Sequence, residues 1–181
     1  DLTYVGVIDA IPEMLEEYQN AVASSNAIAD LEQLQDMIDS LNLLIKAPVL
    51  NNLHIESYDA HSISLAKPAF SVMGVPSPNV AAFVGLVGVI SVTDSVVNNS
   101  TAGPIDVSDG AYKFQGLDPY IDYKIIVVAE NFMGYSVEEI VQKTKGIKPV
   151  LNNLVISAYD TESISLQQPT FATVGVPAPS I

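Results

Sequence analysis

Cysteine is absent from the 181 residues. That excludes a disulfide framework, a thiol nucleophile and a thiolate metal site, and it leaves the redox compartment open. Cations are scarce: seven Lys and Arg face 21 Asp and Glu, for a formal net charge of −14. Such a surface repels nucleic-acid phosphates and anionic headgroups, so neither is an expected partner. Long apolar runs are missing as well. The longest, residues 80–92, is broken by Gly85 and Gly88. It falls short of the roughly 18 residues a membrane helix needs and reads as a pair of buried strands. No Gly-rich loop follows a strand and opens a helix, so no phosphate-binding motif is legible. Asp1 in place of a Met reads as a processed or excised chain, with no secretion signal in view.

What is present is largely apolar. Hydrophobic residues make up 49% of the chain, which indicates ordered protein rather than a solvated tail. The length allows one well-buried domain with an appendage, or two small domains. Residues 1–46 read as an acidic helical leader. Between Asp1 and Ile45 there is no Lys, Arg or His, while nine acidic residues fall there. After an apolar start at 4–8, Asp9 is placed to cap a helix with Pro12 and Glu13 in its first turn. Leu15, Tyr18 and Val22 then recur at helical spacing, and Ser24, Ser25 and Asn26 mark a break. A second stripe places Leu31, Leu34, Ile38 and Leu41 three or four apart, with Glu32, Gln35, Asp36 and Asp39 mostly on the other side. That stripe demands a partner. Two readings stand: a helical hairpin or long helix packed on the body of the protein, or association with another copy, which makes these four residues assembly contacts.

From Pro48 onward the sequence repeats. Residues 48–80 align with 149–181 at an offset of 101, without gaps and with 19 of 33 positions identical, and a period near 100 residues is the size of one immunoglobulin-like sandwich. Turn signals such as Asp59, Pro76, Asn98 and Asn99, Gly103 and Pro104, Gly110 and Pro119 come at short intervals. They predict seven strands near 50–57, 61–67, 80–87, 88–94, 111–115, 122–131 and 135–144. The expected organisation is a seven-stranded β-sandwich over 47–147, with 148–181 as the first two strands of a second, incomplete repeat. Two strands cannot bury a sandwich face. Either the second copy is a truncated portion of a longer tandem array, or strands from another molecule complete it.

One stretch carries a family resemblance. Leu117, Asp118 and Pro119 form a corner, Tyr123 opens a β-branched run that continues to Asn131, and Gly134, Tyr135 and Ser136 turn the chain back. Period 2 puts Tyr123, Ile125, Val127 and Ala129 on one core face, with the tyrosine hydroxyl able to reach back to the corner. The arrangement resembles a fibronectin type III domain over roughly 48–146, with Leu117, Pro119 and Tyr123 as its tyrosine corner. It departs from that family in having Leu65 where a Trp is usual on the second strand. The loop at 131–134, where some members carry an integrin-binding Arg-Gly-Asp, holds Phe132 and Met133 instead.

Candidate sites are few. Ile126 and Val128 point away from the core, and adjacent apolar residues there require a cover, expected to be the leader helix or a second subunit. Phe132 is an expected contact with a neighbouring domain. Asn98 and Asn99 begin overlapping Asn-X-Ser/Thr acceptors, which read either as glycosylation sites or as a turn chosen for its backbone preference. Asp106, Asp109, Asp118 and Asp122 fit no calcium-loop spacing. His54 and His61 lack a legible Ser-His-Asp or metal grouping. No metal site, cofactor or catalytic residue is expected. The resulting expectation is a non-enzymatic structural protein, extracellular or at a microbial cell surface, that self-associates through such repeats into a filament, layer or appendage. The alternatives are an adhesion module gripping a glycan or protein, and an accessory domain of a secreted carbohydrate-active enzyme.

Overall fold

In the computed structural model, residues 6–25 and 28–178 are described; Tyr4, Asn26 and Ile181 lie outside them. The leader is a helical hairpin. A 3-10 turn, Pro12–Met14, runs into α1 (Leu15–Ser24), and α2 (Leu31–Asn42) follows. Asp9 does not cap the first helix, contrary to expectation. It adopts a left-handed φ of 57°, and the cap position falls on Ile11, which offers no side-chain bond. Pro12 compensates in part, because a residue without an N–H leaves one orphan donor fewer. Asp30 does cap α2, accepting from the Gln33 amide at 2.9 Å. Met14, Tyr18 and Ile38 are fully buried between the helices, joined by Val7, Leu34, Leu41 and Ile45. Polar ties close the hairpin. The Ile11 amide donates to Tyr18 Oη at 3.1 Å, Tyr18 Oη donates to Asn42 Oδ1, and Gln35 bonds both main-chain groups of Ile8.

The strands follow in chain order: β1 (Val49–Asn51), β2 (Ile55–Tyr58), β3 (Ser62–Leu65), β4 (Ala69–Val72), β5 (Asn79–Leu86), β6 (Ser91–Thr93), β7 (Val96–Asn98), β8 (Ala102–Asp106), β9 (Tyr112–Gln115), β10 (Asp122–Asn131) and β11 (Gly134–Lys143). Two sheets face each other across the core. One has the order β2-β3-β9 and the other β11-β10-β5-β8, all antiparallel. Alternation decides which side chains enter: Val80, Ala82 and Val84 of β5 and Tyr123, Ile125, Val127 and Ala129 of β10 meet Ile63, Leu65 and Phe114 from the opposite sheet. Leu65, in the place of the expected Trp, is fully buried.

The expected seven strands are thus divided further. The first splits into β1, which pairs with β4, and β2, which joins the three-stranded sheet. The span read as one strand at 88–94 turns at Asp94, whose φ is 54°, into the β6–β7 hairpin. Gly103 and Pro104, read as a turn, lie within β8. That strand is a sheet edge with a register shift opposite them, the position where a residue lacking an N–H is tolerated.

Residues beyond 148 form β12 (Val150–Leu151), β13 (Ile156–Tyr159), β14 (Ile164–Leu166) and β15 (Phe171–Thr173). β12 pairs with β15 and β13 with β14, repeating the pairing of β1 with β4 and β2 with β3.

Candidate interaction surfaces

The tyrosine corner is closed from three sides. Leu117 and Tyr123 are buried, and the Asp118 amide donates to Tyr123 Oη at 2.9 Å. Pro119 sits half-buried in the bend between them. Two further residues, unassigned from sequence, complete the lock. His61 accepts from the Leu117 amide through its carbonyl at 3.0 Å, and its Nδ1 meets the Leu117 carbonyl at 2.9 Å. Thr144, buried at the end of β11, donates from Oγ1 to the Asp118 carbonyl at 2.7 Å and accepts from the Ile121 amide at 3.1 Å. His61 therefore serves this corner, while His54 stays exposed with Nδ1 3.2 Å from the Asn52 carbonyl.

The outer face of β10 is covered, but not by the expected partner. Ile126 and Val128 are buried with Ile90 beneath the β6–β7 hairpin, whose Val92 and Val97 pack there together with the cross-strand neighbours Phe83 and Val137. Neither the leader nor a second subunit is needed there. Gly85 makes the close approach feasible, since a Cβ at that position would lie 2.7 Å from Ile90 Cβ. At the end of that hairpin Asn98 and Asn99 are exposed. Asn99 takes a φ of 57°, a conformation that asparagine tolerates better than most residues.

The leader stripe is also accounted for within the chain. Ile38 is buried, and Leu34 and Leu41 are half-buried in the helix pair, which reaches the sandwich at Val75. These three are not free for a second copy; Leu31 is about half exposed. The Ser77 amide donates to Glu17 Oε1 at 3.2 Å, and Asn131 Nδ2 donates to the Lys46 and Pro76 carbonyls at 2.9 Å. Between α1 and the sandwich lies a cleft of about 390 Å³, walled by Glu13, Glu16, Glu17, Glu130 and the exposed Phe132. Phe132 thus lines the same cleft as the leader's acidic face.

At the opposite end, Lys143 lies 4.7 Å from the Tyr120 ring centre and Lys145 5.2 Å from that of Tyr58. Among the described residues no three His, Asp or Glu side chains are grouped to hold a metal. Asp106 instead accepts from the Ser108 amide and hydroxyl at 2.9 and 2.6 Å, which hold its carboxyl below the ordinary range, the hydroxyl foremost. Asp122 pairs with Lys143 at 3.2 Å, while Asp109 and Asp118 are exposed. Asp59 is lowered to about 2, first through the Ser62 hydroxyl, then through the His61 amide. The hydroxyl lies outside hydrogen-bond geometry and the amide bonds at 2.8 Å, so the amide is the contact that carries the effect.

No protein-family model matches the sequence, and no curated protein matches it. Solved structures similar to it include a β-sandwich protein obtained by computer-based redesign, at 15% identity over 56% of this chain and 96% of that one, TM-score 0.40. The chicken CNTN1 FN1-FN3 domains are similar at 14% identity and TM-score 0.36 over 55% of this chain, which spans only 33% of theirs. The fibronectin type III domain of human fibronectin type III domain containing protein 3 is 19% identical over 56% of this chain and 88% of that one, TM-score 0.34. The protein is mainly β and has a fibronectin type III-like sandwich, defined by the three-on-four strand order and the Tyr123 corner. Among the described residues no helix is long and apolar enough to cross a membrane.

Proposed function

We propose that the protein is a non-enzymatic structural component of an extracellular or cell-surface protein, in which tandem sandwiches serve as stiff spacers. The observation that carries this reading is the repeat itself: the layer at 49–72 recurs at 150–173 with the same strand pairs. A spacer gains length by repeating one structural layer. Assembly into a filament or layer loses two of its anticipated contacts, because Ile126 and Val128 are covered and most of the leader stripe is internal. Sedimentation and electron microscopy at working concentration test the choice. Dispersed monomers are the expected result; regular filaments or sheets would replace the spacer with an assembly unit. Exposed Phe132, Met133 and Tyr135 on the β10–β11 turn favour an adhesion module as the second reading. In that case Phe132→Ala would abolish retention on a glycan or matrix-protein panel.

A further inference from the structure

The outer side of the β6–β7 hairpin brings apolar surface and a chemical handle together. Strand alternation sends Val92 and Val97 down onto Ile126 and Val128 and turns Ser91, Thr93, Val96 and Asn98 to solvent, where all four are exposed. Ser91 stands opposite Asn98, and Thr93 opposite Val96. Val96 is 61% exposed, and Val89, which leads into β6, is 52% exposed. Neither strand holds a charged residue, so solvation of this face falls to Ser91, Thr93 and Asn98. Two acceptor triplets overlap at its end, Asn98-Asn99-Ser100 and Asn99-Ser100-Thr101. The fold treats their asparagines differently. Asn99 is committed to the hairpin: it leaves β7 in the left-handed region, with a φ of 57°, and its Nδ2 donates to the Val89 carbonyl at 3.4 Å, across the base of the hairpin. A bulky substituent on that nitrogen competes with the bond. Asn98 carries no such tie. Its Nδ2 meets only the Val96 carbonyl, two residues back on its own strand, at 3.5 Å.

We propose that Asn98 is an N-glycan acceptor, that Asn99 is not, and that the glycan lies over Val89 and Val96. The donor is a lipid diphosphate-linked oligosaccharide. Asn98 Nδ2 forms a bond to the anomeric carbon of its first sugar, and the bond from that carbon to the diphosphate oxygen breaks. The lipid diphosphate leaves with the electron pair, and the amide gives up one proton to base. Ser100 supplies the hydroxyl that the Asn98 triplet requires. A glycan is bulky and solubilising, and on Asn98 it stands beside the exposed Val96 on the side of the hairpin that faces away from the sandwich, so the packing on Ile126 and Val128 is left undisturbed. The extracellular or cell-surface reading proposed above supplies the setting in which such a donor is met. The choice between the two asparagines rests on the hairpin alone.

The test secretes the full chain from a host that N-glycosylates and maps the modified residue by peptide mass. Secretion supplies the compartment, so failure overturns the site and leaves the proposed location standing. Each triplet depends on its own hydroxyl, Ser100 for the first and Thr101 for the second, so either acceptor is removed without touching an asparagine. The expected result is a single glycan on Asn98, kept in Thr101→Ala and lost in Ser100→Ala. Ser100→Thr keeps the hydroxyl and should keep the glycan, which separates loss of the acceptor from loss of folding. A bare chain, a glycan on Asn99, or a glycan that survives Ser100→Ala overturns the proposal. For the covering role, trimming the glycan to its first sugar should raise hydrophobic-dye binding, and the double variant Val89→Ser, Val96→Ser should abolish that rise. Dye binding that trimming leaves unchanged overturns the covering role.

Discussion

Tyr123 reaches back five residues to bind the Asp118 amide, and this bond fixes where β10 begins. Tyr123→Phe keeps the ring in the core but strips the buried amide of its partner. A loss of about 1–2 kcal/mol is expected, read as a lower urea midpoint with an unchanged slope. Asp59 gives a pH-dependent signature. Its folded pKa lies below the ordinary 3.8 because the His61 amide bonds the carboxylate, so its contribution is fully present above 3.8 and is lost as pH falls through the lowered value. Carboxyl NMR should place the Asp59 midpoint below 3.8, and Asp59→Asn should flatten the acid limb of the stability profile below that value. The tyrosine and its corner were legible because Pro and a β-branched run mark them in one short stretch. His61 and Thr144 were not, since their partners lie 56 and 26 residues away and neither residue type announces a lock.

The β6–β7 hairpin is the element whose role the linear pattern hid. Gly88 marks the end of β5, but Val89, Ile90 and Val92 read as one further strand, and nothing in that run shows that Asp94 turns the chain back over Ile126 and Val128. Gly85→Ala inserts a methyl 2.7 Å from Ile90 Cβ. Such overpacking is expected to cost about 1–3 kcal/mol, and the lifted hairpin should expose Ile126 to hydrophobic dye binding. A normal thermal midpoint without dye binding would show that the cover is dispensable. For the leader, Asp30→Ala removes the cap on α2 and should lower stability by about 1 kcal/mol, seen as reduced helical circular dichroism while β10 amides keep their protection. Helix period and the Asp30 signal were readable in the sequence. The Asp9 cap was not borne out, because capping depends on the backbone conformation that a residue takes as well as on its type.

At the scale of the whole molecule, residues 150–173 pair only among themselves, apart from the bridge at Ile147. Ending the chain at Lys148 should therefore leave the melting temperature of the first sandwich within about 2 °C of its original value; a larger fall in a calorimetric scan would reveal a stabilising contact. The sequence by itself determined the β-sandwich class, the 101-residue repeat, the inward face of β10 and the helical leader, because each is written in a local period or a local identity. Only the tertiary structure decided what covers each apolar face. It placed the chain's own hairpin on Ile126 and turned the leader stripe inward. Burial is a property of pairs of surfaces brought together across long stretches of chain, and a periodic pattern identifies a face without naming its partner.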